Sequence, residues 1–188
     1  MNGTKFLRTT LVALMVTAAA SLASAQALNS GAQAIALNAT LNESLTLSLS
    51  ANSVSFNLTP GNAANAGSGN VTATTRWVLA PGRTAVGVYA YFTSATAALT
   101  DGAGNNIPSS AFSIADNGGS AATLVNTAAF GAANAGLQLA NVAITTANRN
   151  ASRTDAMAFN INLSGGTLPQ LPAATYTGTL NIQAQATP

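Results

Sequence analysis

The chain has 188 residues, 48% of them hydrophobic and 5% charged, with no cysteine and no histidine. That inventory excludes disulfides, thiolate and histidine metal sites, and Ser-His-Asp catalysis. The formal charge of +2 rests on six basic residues against four acidic ones, but two of the basic residues sit in a segment expected to be removed.

Lys5 and Arg8 precede the apolar run LVALMVTAAA at 11–20, and Ala23-Ser24-Ala25 follows as a small-residue cleavage site. This is the pattern of a secretory signal peptide, too short for a membrane span. The expected organisation is a signal peptide over 1–25 and one domain over 26–188. The product is expected to be exported to the periplasm, cell surface or extracellular space, with no membrane insertion after cleavage. Arg76, Arg83, Arg149 and Arg153 then balance Glu43, Asp101, Asp116 and Asp155. Four scattered arginines make no basic stripe, so nucleic acid is not an expected partner.

The first alternating segment is AIALNATLNESLTLSLS at 34–50, whose odd positions Ile35, Leu37, Ala39, Leu41, Leu45, Leu47 and Leu49 are apolar, with Glu43 the exception. Period two marks extended chain, because successive side chains point to opposite faces. Burying Ile35, Leu37 and Leu41 would contribute about 5 to 8 kcal/mol gross. Two placements satisfy that drive. The segment breaks near Asn42-Glu43 into two strands of its own domain, or residues 33–41, within a donor extension over 26–42, add to a neighbouring molecule while 45–50 form the first internal strand.

Next, SVSFNL at 53–58 reads as a short strand closed by Pro60-Gly61. Val71 to Leu79 sets Val71, Ala73, Thr75, Trp77 and Leu79 on one face, and Ala85 to Thr93 sets Val86, Val88, Ala90 and Phe92 opposite Tyr89 and Tyr91. With Pro81-Gly82 between them, these two runs read as a hairpin. Leu99 to Ile107 encloses the turn DGAGNN, and AFSIA at 111–115 ends at Asp116-Asn117-Gly118-Gly119. The run from Leu137 to Thr145 switches apolar parity between Leu139 and Val142, as a bulge requires. Met157, Phe159, Ile161 and Leu163 form the cleanest single-face stripe, and Tyr176 to Ala184 the last strand. Roughly nine short strands without helical periodicity imply an all-β chain, a single antiparallel immunoglobulin-like β-sandwich. Trp77 is placed at the centre of its core, and Tyr176 is expected to turn its hydroxyl back onto the preceding loop.

The chemistry available to the mature chain is sparse. Its only lysine leaves with the signal, and a carboxylate pair could come only from Glu43, Asp101, Asp116 and Asp155. Three of those lie in or beside turns or polar segments, where Asp serves local hydrogen bonding. The expectation is no enzyme and no cofactor. Calcium is the one metal whose chemistry suits the residues present. Asp101, Asn105 and Asn106 offer it oxygens in a glycine-bent loop that also reads as an ordinary hairpin turn. Tyr89 and Tyr91 could offer a platform to sugar rings. The seven Asn-x-Ser/Thr sequons follow mainly from composition.

The N-terminal alternation, the central TTRWVLAPGRTAVGVYAYF and the closing LPAATYTGTLNIQAQA together resemble the spore coat protein U and fimbrial-subunit group of secreted β-sandwich proteins. The resemblance implies a structural or surface-assembly subunit in which an N-terminal segment completes the sheet of the next subunit. Ile35, Leu37, Ala39 and Leu41 would be its assembly residues, and further copies or related surface subunits its partners. It differs from many fimbrial subunits in lacking a cysteine pair. A monomeric carbohydrate-binding or adhesion module is the alternative.

Overall fold

The computed structural model describes residues 28–125, 130–131 and 135–188. The signal-peptide reading lies outside the described residues. The chain divides into two units between Ala39 and Thr40. In the first, residues 28–39 hold no strand or helix, and Ile35 and Leu37 are 84% and 90% exposed.

The second unit is an all-β domain. Its strands are Ser44–Leu49 (β1), Asn65–Ala66 (β2), Val71–Val78 (β3), Ala85–Tyr91 (β4), Leu99–Thr100 (β5), Asn106–Ile107 (β6), Phe112–Asp116 (β7), Ala122–Thr123 (β8), Gly136–Ala143 (β9), Asn150–Ile161 (β10) and Asn181–Thr187 (β11). They form one sheet ordered β1-β3-β10-β7-β8, with β2 added to β10, a second ordered β11-β4-β9, and the small β5–β6 hairpin. All the pairings are antiparallel. No described helix is long and apolar enough to cross a membrane.

The larger and smaller sheets face each other across a core made by the predicted stripes. Met157, Phe159, Ile161 and Leu163 are all buried, packed with Phe92, Phe112 and Ile114. Phe112 meets Phe92 edge-on at 5.2 Å and Phe56 at 5.7 Å, an arrangement that suits the charge distribution of the rings. Trp77 is buried too, but in a second cluster with Leu79 and Val86 rather than at the centre. Its indole N–H donates to the Asn148 carbonyl at 2.8 Å. Between the clusters, Thr75 and Asp155 are fully buried, and the β3–β10 register sets Thr75 opposite Arg153 and Asp155 opposite Ala73. A polar layer thus crosses the inward faces of these strands.

Several boundaries and partners differ from the sequence reading. The runs on either side of Pro81-Gly82 are not a hairpin: β3 has both edges taken by β1 and β10, so the chain crosses to the other sheet, where β4 pairs with β11 and β9. SVSFNL forms no strand beyond an isolated bridge from Phe56 to Gly67. Side chains take backbone amides there that a ladder would use, with Ser55 N–H donating to Ser68 Oγ and Thr59 N–H to Asn65 Oδ1. The last strand starts at Asn181, because Thr177 instead exchanges two backbone bonds of 2.9 Å with Thr100. Tyr176 donates its hydroxyl to the Pro172 carbonyl at 3.0 Å, closing the proline loop as expected. The parity switch in β9 is a bulge: Ala140 pairs with Val88 and Gln138 with Tyr89, so Leu139 is the extra residue.

Because Phe159 is 7% exposed and joins the packing around Phe112, Phe159→Ala should cost about 3 to 5 kcal/mol. A large fall in the urea midpoint at unchanged slope is the expected result.

Candidate assembly groove

The described residues contain no group of three or more His, Cys, Asp or Glu placed to hold a metal ion. At the calcium candidate, Asp101 Oδ1 accepts the amides of Ala103 at 2.8 Å and Asn105 at 3.0 Å, while Oδ2 accepts the Asn105 side-chain amide at 2.6 Å. Asn106 donates its side-chain amide to the Gly104 carbonyl at 3.4 Å. Both Asp101 oxygens therefore serve the β5–β6 turn, which bends through positive φ at Gly102 and Gly104. The Asn105 amide holds the Asp101 carboxyl below its ordinary value.

The two tyrosines lie on the outward face of β4 but are not equivalent. Tyr89 is 9% exposed. Its ring lies over Gly87, where a Cβ would come within 2.6 Å of it, and Phe130 meets it edge-on at 5.3 Å. Its hydroxyl accepts from Gln138 at 3.3 Å. Tyr91 is half-buried and donates to Gln183 at 3.2 Å. The pair does not present two open rings side by side.

A partly buried ionic cluster, which sequence reasoning missed, adjoins the polar layer; Asp155 is fully buried, while the Arg153 and Asp116 side chains are 34% and 18% exposed. Arg153 Nε donates to Asp155 Oδ1 at 2.6 Å, and its Nη2 also lies 3.7 Å from Asp116 Oδ2. Asn117, held at φ 51°, donates to both carboxylates at 3.1 Å. In and beside this cluster, Thr75 Oγ1, Asp116 Oδ1 and Asp155 Oδ2 are buried without a hydrogen-bond partner, three of the four such atoms among the described residues. Such atoms cost stability unless paired. The run NASRTDA carried no apolar alternation, and only the pairing with β3 turns its odd members inward.

Another unfinished feature lies at the unpaired edges of the two sheets. One sheet ends at β1 and the other at β11, and no ladder joins them. Leu45, Leu47 and Leu49 lie opposite Trp77, Thr75 and Ala73, so they point inward. Ile182, Ala184 and Ala186 lie opposite Ala90, Val88 and Val86 and also point inward. Yet Leu45, Leu47, Ile182, Ala184 and Ala186 are only half-buried, and Leu49 is 44% exposed. Their partners on β3 and β4 are buried at 5% exposure or less. Two inward apolar rows thus flank a groove between β1 and β11, narrow enough that the two backbones come within 8 Å over part of its length.

The backbone of that groove is equally unfinished. Ser50 N–H donates to the Thr72 carbonyl at 2.9 Å. Antiparallel alternation then turns the backbone groups of Ser44, Thr46 and Ser48 toward β3 and those of Leu45, Leu47 and Leu49 toward the open edge. Neither SLTLSL of β1 nor NIQAQAT of β11 carries a charge, a proline or a bulge. The other outer strands are protected: β8 is only two residues long, and β9 carries the bulge at Leu139.

One end of the groove is closed by an ion pair. Glu43 Oε1 accepts the Ala80 amide at 2.7 Å and Arg83 Nε at 3.1 Å, while Oε2 accepts Arg83 Nη2 at 3.1 Å. Arg83 Nη1 also reaches the Ala186 carbonyl at 3.5 Å. A cleft of about 230 Å³ there is lined by Glu43, Ser44, Leu45, Leu79, Arg83 and Ala186. Arg83 holds the Glu43 carboxyl below its usual range.

Of the assembly residues expected from sequence, Ile35, Leu37 and Leu41 are 83–90% exposed, and Ala39 is exposed with them. None belongs to a strand. Sequence reasoning singled out the alternating segment but not the groove, whose edges are more than a hundred residues apart. No family model, curated protein or solved structure matches the chain.

Burial, and then the nearby Asp155 carboxylate, raise the Asp116 carboxyl above its ordinary value, with Arg153 pulling the other way. A raised folded value means that the native chain holds this proton to higher pH than the unfolded chain. Its contribution is therefore intact below the unfolded value near pH 4 and is lost as pH rises through the folded one. Asp116→Asn should flatten that part of the profile. Urea midpoints of wild type minus variant, measured from pH 4 to 7, should fall with pH.

Proposed function

We propose that the protein is a structural subunit of an exported surface assembly, joined by strand addition: residues 33–41 of one copy enter the β1/β11 groove of the next. The observation that carries this reading is the match between an exposed apolar row and an open apolar groove. Ile35, Leu37 and Leu41 share one parity and are 83–90% exposed, while the inward rows of β1 and β11 are at most half-buried. An added strand would pair the free edges and supply side chains from every second position. The segment from 35 to 41 spans seven residues, the length of β11.

An occupied groove needs two contributions together. Burying the three large side chains contributes about 5 to 8 kcal/mol gross, and the new ladder satisfies backbone groups of both edges. That gain must exceed the loss of translational and rotational freedom on association, about 4 to 15 kcal/mol. Side-chain burial and ladder formation are therefore both needed. The same low charge that leaves the edges unguarded makes them receptive. In a carbohydrate-binding reading, Tyr91 is the more accessible of the two rings.

The protein from Gln26 onward should form oligomers or fibres in size-exclusion chromatography and negative-stain microscopy. Leu37→Asp should weaken association by about 2 kcal/mol or more, since it removes a buried leucine and brings a charge to an apolar groove. A synthetic peptide of residues 30–42 should inhibit growth in a concentration-dependent way. A monodisperse full-length monomer across the accessible concentration range would overturn the proposal.

A further inference from the structure

The donor segment runs directly into β1, one wall of the groove, so the nearest groove to any copy's segment is its own. Self-closure would end assembly before it began. Two features of the segment 42–44 stand against it.

The first is parity. A two-residue loop of Asn42-Glu43 would pair Leu41 with Ser44, Ala39 with Thr46 and Leu37 with Ser48. Ser44, Thr46 and Ser48 face solvent, opposite Leu45 and Leu47. The shortest return would therefore turn the whole apolar row outward, because a one-residue shift exchanges the faces of a strand. A three-residue loop of Asn42-Glu43-Ser44 restores the faces, setting Leu41 against Leu45 and Ala39 against Leu47. Such loops favour glycine in a left-handed conformation at the last position. Ser44 stands there, and it is already paired with Val78 in the ladder.

The second is the clasp. Glu43 would sit in the middle of that loop, yet its carboxylate is held by the Ala80 amide and by two nitrogens of Arg83 at 2.7–3.1 Å. A segment from another copy has no loop to close and can enter with its odd positions inward.

We propose that the Glu43–Arg83 clasp and the odd-even offset across Asn42-Glu43 act as a device against self-closure, reserving the groove for the segment of a second copy. This rests on the strand-addition reading. Loop substitutions should then move protein from assemblies to closed monomers.

The test compares wild type with Glu43→Asn plus Ser44→Gly, which removes the clasp and gives the three-residue loop its glycine. Assembled fraction is read by size-exclusion chromatography, and amide exchange at residues 35–41 is followed by mass spectrometry. The expected result is an assembled wild type and a double variant that is mainly monomer, at least tenfold less assembled, with slow exchange at 35–41. A variant that assembles like wild type would overturn the inference while leaving strand addition intact. A wild type that is monomeric with protected 35–41 amides would overturn it as well, because the segment then closes on its own domain. A monomeric wild type with fast exchange there would overturn the strand-addition reading itself, and this inference with it. Should the double variant precipitate, Arg83→Gln decides: more closed monomer than wild type supports the device, and an unchanged distribution overturns it.

Discussion

In an extended chain, odd and even positions look in opposite directions, and the pairing of β3 with β10 commits that choice for the larger sheet. Met157 opposite Val71 and Asp155 opposite Ala73 bring the odd members of both strands inward. Once they are fixed, β1 must present Leu45, Leu47 and Leu49 to the interior and its serines and threonine to water. The bulge at Leu139 in β9 is the place where the smaller sheet changes parity without losing its pairing. Core, polar layer and groove all depend on this two-state bookkeeping of faces.

Parity is also what made the fold readable. The faces of Val71 to Leu79, Val86 to Phe92 and Met157 to Leu163 follow from spacing alone, and so does the β9 bulge. Partners do not follow. Pro81-Gly82 bends the chain as a hairpin turn would, but whether the next strand pairs alongside or packs opposite depends on β1 and β10 having taken both edges of β3. The first half of β10 was hidden for a different reason. Asn150 to Ala156 is polar, and its extended form comes from the ladder with β3 rather than from any hydrophobic stripe of its own.

At the groove, legibility divides in the same way. The row from Ile35 to Leu41 stands out because a drive to bury it is visible in one dimension. The groove is assembled from Leu45 to Leu49 and Ile182 to Ala186, and no local signal links these stretches. Glu43 was visible only as a charge interrupting an apolar row. Its partner Arg83 lies forty residues on. A charge that breaks a pattern often has a distant counterion, and in a chain with so few charges the search is short.

The division of the core by Thr75, Arg153 and Asp155 bears on spectroscopy of the protein. The chain holds a single tryptophan, and Trp77 lies in the smaller cluster, hydrogen-bonded to the turn before β10. Its emission is therefore a local gauge of one end of the sandwich, with the Phe112-centred cluster spectroscopically silent to it. Cooperative domains show coincident transitions by different probes. Where indole fluorescence and far-ultraviolet circular dichroism part company, the ionic layer is the seam along which the two halves of the interior have come undone.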